Sequence, residues 1–268
     1  MKRLLLTTLL VSGLAGVMTQ SAVAQQDSTR TKRKVTISLG SETSISVGKV
    51  ESDSVKKAKA AKGRFVGGIT FTRLDWGFTR LVDNGSFSLS KDNEFLDYTG
   101  GKSSTFSFDV LQFGYRFNPN FKIYLAGGFD WTMIRLKKNI TLLKNSPTMA
   151  YTEEEINFSK NRLSSSYVHI PLNFEFRTKE NSNGKRFYFV IGPEVAFLLN
   201  GKVKQISKER GKEKIKDDYN FEPFRYGGTV RIGYGAIGFF TKYYFNDMFT
   251  TTAQNGLRNM SFGITLGL

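Results

Sequence analysis

The stretch Ser164–Arg177, SSSYVHIPLNFEFR, constrains this chain more than any other. Val168, Ile170, Leu172, Phe174 and Phe176 fall on every second position, with His169, Asn173, Glu175 and Arg177 between them. Successive side chains of a strand point to opposite faces, so the stretch predicts a strand with one apolar and one polar face. A soluble strand usually runs about five or six residues. This one alternates for about ten, the length a tilted strand needs to cross a bilayer core. Pro171 falls on the polar face and cannot donate to a sheet ladder, which predicts a bulge or a local break.

The same pattern recurs from Phe65 to the end of the chain. Eight long strands are expected, at 65–80, 104–118, 121–136, 163–177, 186–200, 219–234, 236–246 and 257–268. The connections at 118–120, 179–185 and 234–235 are short. Those at 81–103, 137–162, 201–218 and 247–256 are long and polar. This strict alternation of short turns and long loops is the asymmetry of a transmembrane barrel. The faces agree with lipid contact. Leu74, Trp76 and Phe78 share one face of the first strand, although Ile69 and Phe71 break the rule lower down. Leu111, Phe113, Tyr115 and Phe117 share a face of the second, and Phe121, Ile123, Leu125, Phe129, Trp131 and Met133 of the third. The last strand, with Phe262, Ile264 and Leu266 on one face, is expected to close onto the first, because an open edge in hydrocarbon leaves costly unsatisfied backbone groups.

Composition fits this reading. Mean hydropathy is −0.29, which excludes a helical membrane bundle but not a barrel, whose strands are only half apolar. Aromatics make up 14% and suit both strands and membrane interfaces. Without cysteine, disulfide and thiolate–metal chemistry are excluded. The net charge of +16 lies in the N-terminal segment and the long loops, interleaved with acids and without a basic helix. Phosphate-rich lipid headgroups suit it better than a nucleic-acid groove, so no nucleic-acid partner is expected.

Residues 1–24 read as a secretory signal peptide: Lys2 and Arg3, an apolar core from Leu4 to Met18, and the small-residue cleavage site Ala22-Val23-Ala24. Residues 25–64 form a basic, largely flexible segment, with weak alternation over Val35–Val47 that allows one short strand or hairpin.

With these features in place, the chain resembles the outer-membrane β-barrel domain proteins common in Bacteroidota. The resemblance rests on Leu74-Asp75-Trp76-Gly77-Phe78, the strand from Ser164, Lys185–Gly192, Asn220–Gly235 and the ending Met260-Ser261-Phe262-Gly263-Ile264. It covers about 65–268 and implies fold and location. A related branch, the PorT-type barrels, implies a part in export of cargo proteins across the outer membrane.

The inward set is Arg73, Asp75, Asp109, Gln112, Arg116, Asp130, Glu175, Arg177, Glu194, Arg231 and Lys242. An eight-stranded barrel is just wide enough to be filled by its own side chains. Buried charges must pair, so these predict a salt-bridged plug, with a polar pocket or narrow channel as the functional alternative. His169 is the lone histidine and the one catalytic candidate. With Ser164–Ser166 and Glu194 it could form a lipid-modifying triad. Glu153-Glu154-Glu155 could take a divalent cation but read as solvated. No Walker, Rossmann, zinc or nucleophile-elbow pattern occurs.

The expectation is an all-β, antiparallel, up-and-down transmembrane β-barrel of eight strands, with both ends in the periplasm. The role expected is structural or surface-binding and non-enzymatic, with no cofactor or metal. The partners expected are outer-membrane lipid and lipopolysaccharide, with other envelope or secretion proteins as further candidates.

Overall fold

The computed structural model describes residues 36–38, 44–46 and 63–267. The expected signal peptide lies outside the described residues. Two short strands, β1 (Thr36–Ser38) and β2 (Ser44–Ser46), pair antiparallel within the basic segment. The strands that follow are β3 (Arg64–Asp83), β4 (Ser104–Asn118), β5 (Phe121–Arg135), β6 (Ile140–Leu142), β7 (Tyr151–Glu153), β8 (Lys160–Arg177), β9 (Phe187–Ser207), β10 (Gly211–Asp217), β11 (Phe224–Tyr234), β12 (Ile237–Tyr244) and β13 (Leu257–Gly267).

Eight of them form a closed antiparallel ring in the order β3–β4–β5–β8–β9–β11–β12–β13, and β13 pairs back onto β3 from Leu257↔Asp83 to Gly267↔Arg73. Closure leaves the ring without an edge, which is what a strand assembly in hydrocarbon requires. Three short turns lie at one end, here the turn end. Four long connections lie at the other, the loop end.

The outward face carries two aromatic girdles. At the turn end, rings follow one another around the wall: Phe65–Tyr115 at 5.0 Å, Tyr115–Phe117 at 4.9 Å, Phe117–Phe121 at 5.3 Å and Phe121–Phe176 at 4.9 Å. Nearer the loop end, Phe106, Phe108, Phe129 and Trp131 cluster, and Phe197 meets Phe224 at 5.3 Å. Phe121 and Trp131 are ten residues apart on β5, about 33 Å along a strand. With a tilt of about 40° that becomes about 25 Å, the height of the lipid-facing band of a membrane barrel.

Two breaks in the expected alternation have a local cause. Asp109 and Gln112 differ in parity yet both face inward, because Asp109 pairs with Gly128 and Leu111 with Gly127, leaving Val110 as an extra residue. The β3–β4 register likewise shifts between Ile69 and Arg73, so exposed Ile69 and exposed Trp76 have opposite parity on one outward face.

Three expectations need correction. Pro171 produces no bulge: the sequence register of β8 is the same on either side of it, against both β5 and β9, and the missing amide only interrupts local pairing. The bulge in the β8–β9 ladder lies instead at Ser166/Tyr167. The segment 201–218 is not a loop, since β9 runs on to Ser207 and returns as β10 after a turn at Gly211, whose φ is 64°. Val203 is buried there and Lys202 and Lys204 face outward, so the alternation was present but masked by its lysines. Finally, the long loop 137–162 contains the hairpin β6–β7, and 81–103 begins with strand. β3 extends to Asp83 and turns at Asn84-Gly85, where both residues have positive φ (48° and 84°), the conformation for which Asn-Gly is favoured.

Candidate functional site

The lumen is stacked in layers from the turn end upward. In the lowest layer Glu175 is the hub. Arg73 Nη2 lies 3.0 Å and Lys122 Nζ 3.3 Å from its Oε2, and Arg177 Nε donates to Oε1. Arg73 Nε also donates to the Tyr124 hydroxyl at 3.1 Å. One layer up, Arg231 grips Asp75 through Nη2 at 2.7 Å and Nε at 3.1 Å, and donates to Asn173 at 3.3 Å. Above that, Lys242 Nζ bridges Asp130 Oδ2 and Glu194 Oε1 at 2.9 Å each. The Tyr244 hydroxyl reaches the same two carboxylates at 2.9 and 2.8 Å, and Thr229 donates to Glu194 at 3.1 Å.

His169 is fully buried in this third layer. Its Nε2 lies 3.1 Å from Asp109 Oδ1 and its Nδ1 3.4 Å from Glu194 Oε1. Both contacts are within ion-pair distance, and neither meets hydrogen-bond geometry. Gly128 faces the ring across the ladder. A Cβ there would stand 2.7 Å from Nε2 and 2.0 Å from the Phe108 carbonyl, so only glycine admits the histidine at this position.

The expected inward residues therefore separate into three layers rather than one web. Arg116 stands apart from all three. It is half-buried near the turn end, in a rung with Arg64 and Lys122, and forms no ion pair among the described residues. Sequence reasoning missed Lys122, Tyr124, Arg225, Thr229 and Tyr244, and placed Asn173 on the polar face without assigning it a partner. Parity was the available signal: Lys122 and Tyr124 share the face of Asp130, Arg225 that of Arg231, and Tyr244 that of Lys242. Arg225 is fully buried and stacks over the Tyr244 ring at 3.9 Å and the Tyr167 ring at 5.1 Å. Asp130, His169 and Glu194 bring ligand-type atoms within 4.8 Å of one another. The Lys242 ammonium already sits between the two carboxylates, so the cation of this cluster is a lysine.

Above the ionic layers the lumen turns apolar. Leu81, Ile134, Leu163, Val203 and Leu257 close in from the walls, and Leu96, Ile140, Phe221, Met248 and Phe249 descend from the loops. Phe221 stacks on Phe249 at 5.0 Å. The loop end is thus capped by a buried hydrocarbon lid. Outside it, a cleft of about 430 Å³ opens between loops, lined by Lys91, Glu94, Phe95, Lys138, Met149 and Tyr151 among others.

The model of a family described as "outer membrane protein beta-barrel domain" matches residues 23–249. The chain belongs to that family. Its place is accordingly the outer membrane. Among solved structures, one similar chain is Ail, the attachment invasion locus protein of Yersinia pestis, in complex with the heparin analogue sucrose octasulfate. It is 14% identical, with a TM-score of 0.31, over 77% of this chain and 97% of that one. A comparison with curated proteins finds no match.

Proposed function

We propose that this outer-membrane barrel is a closed, non-enzymatic protein with a structural or surface-binding role. The chain enters the periplasm behind a cleaved signal peptide, keeps both barrel ends there, and turns its loop end outward. The observation that carries this reading is the filling of the lumen, ion pairs below and a hydrocarbon lid above. His169 lies sealed between Asp109 and Glu194, and Ser165, the one serine of 164–166 on the inward face, stands four residues along the strand from it, about 13 Å away. Both features support a structural histidine over a catalytic one. Surface recognition would fall to the loop-end cleft and to the hairpin β9–β10. Heat-modifiable gel migration combined with planar-bilayer conductance tests this. A compact fast-migrating form without steady conductance is expected; a stable open channel would overturn it.

One feature favours a second reading, a component of a PorT-like secretion assembly. Among the described residues the outer edge of β10 pairs with no further strand, and such an edge can accept a partner's strand. Co-purification of other envelope proteins with the tagged barrel, lost on deleting 208–217, is the outcome that reading requires.

A further inference from the structure

Cations line up in register on the outward face just above the upper aromatic girdle. Arg135 on β5 pairs with Arg162 on β8, Arg162 with Lys204 on β9, and Lys204 with Lys214 on β10. These are four positive side chains on one rung of four adjacent strands. The rung below adds Lys202↔Lys216, and the rung above sets Lys160 and Lys212 on either side of Ile206. No carboxylate occupies the outward positions of these rungs; Glu213, in the middle of β10, faces the other way, opposite Gln205. None of these eight cations forms an ion pair among the described residues.

Like charges directly opposite one another across a ladder are destabilising. Lysines on β10 alone would be explained as protection of a sheet edge. That account does not reach Arg135 and Arg162, which lie on strands paired on both sides. Arg135 is four residues beyond Trp131, about 10 Å above the girdle on a tilted strand. That is headgroup height, facing the lipid.

We infer that this ladder is a binding site for the phosphate groups of an anionic phosphoglycolipid of the outer leaflet, of the lipopolysaccharide class. The inference rests on the outward orientation of the loop end proposed above. The apolar wall below the ladder receives the acyl chains, and the phosphates seat on the rungs of Arg135 and Lys202, where their charge relieves the repulsion among these cations.

The test titrates the purified full chain in neutral maltoside detergent with bis-phosphorylated lipid A, its dephosphorylated form and a sulfated oligosaccharide, read by native mass spectrometry. The variant is Arg162→Gln/Lys204→Gln/Lys214→Gln. The wild type should prefer the phosphorylated lipid, and the variant should bind it on the order of a hundred-fold more weakly, as expected for three cations at an anionic surface. Without lipid, the variant should unfold at the same or a higher temperature than wild type, because repulsion has been removed. Should the triple variant not fold, Lys214→Gln alone, outside the closed ring, should still weaken binding several-fold. Equal binding of both lipid forms, unchanged affinity in the variants, or a preference for the sulfated oligosaccharide would each overturn the assignment. Loss of heat-modifiable migration in the wild type would instead mark failure of the barrel reading.

Discussion

The lower and upper halves of the lumen bury side chains by opposite means. Below, four carboxylates are held by arginines and lysines, most of them from other strands, and Asp109 by His169; Arg231 and Asp75 are 156 residues apart in sequence. Above, the same bore is filled by leucine, isoleucine and aromatic rings, several of them delivered by loops. The stability of the first half is conditional, since each ion is tolerable only while its partner is present. That of the second half is additive and scales with the hydrocarbon removed.

Removing one member of the ionic half should have the largest effect. Lys242→Met removes the ammonium that bridges Asp130 and Glu194 and should cost about 3–5 kcal/mol, read as a lowered midpoint of heat-modifiable migration. Arg231→Met should cost nearly as much, but the double variant Arg231→Met/Asp75→Leu should recover most of the loss, because a buried pair replaced by apolar groups is often neutral. Failure to recover would mean that Asn173 and the layers above and below hold the pair as a unit.

The lid should show no such rescue. Leu96→Ala should cost about 2–5 kcal/mol through the cavity it leaves, whereas Leu96→Met should cost less than about 1.5 kcal/mol. If both cost the same, the lid is held by shape rather than by burial.

The smallest effect should come from Asp83, which ties the first loop to the rim. Burial alone would raise its carboxyl. The hydrogen bonds it accepts from the Ser90 amide and from the side chains of Asn93 and Asn84 outweigh this and hold it below the usual carboxylate range. A lowered folded-state value contributes stability above the unfolded value, about 4, and loses it as pH falls through the folded value. Asp83→Asn should therefore cost about 1 kcal/mol at neutral pH, and the difference from wild type should shrink on acidification. Protease nicking in 84–103, followed against pH, measures it.

Much of the wall was legible beforehand, because every second residue meeting lipid is a local property of a strand. The inward charges on β8 and β13's return to β3 follow from parity and closure. Three things were hidden. The lysines of 201–218 disguised strand as loop, since a solvated charged face and a disordered segment look alike in composition. The insertion at Val110 could not be seen, because a bulge changes parity without changing residue type. The lid residues Leu96, Phe221 and Phe249 sit in polar stretches with no periodicity to expose them.

What the residues determined alone was which side chains turn toward lipid and which turn away, since alternation acts between neighbours along one strand. Only the tertiary structure decided which carboxylate meets which cation, that a lysine fills the Asp130–Glu194 site, and that the loops return as a lid. Those pairings join strands across the lumen, and their distances are set by ring closure and strand register rather than by spacing along the chain.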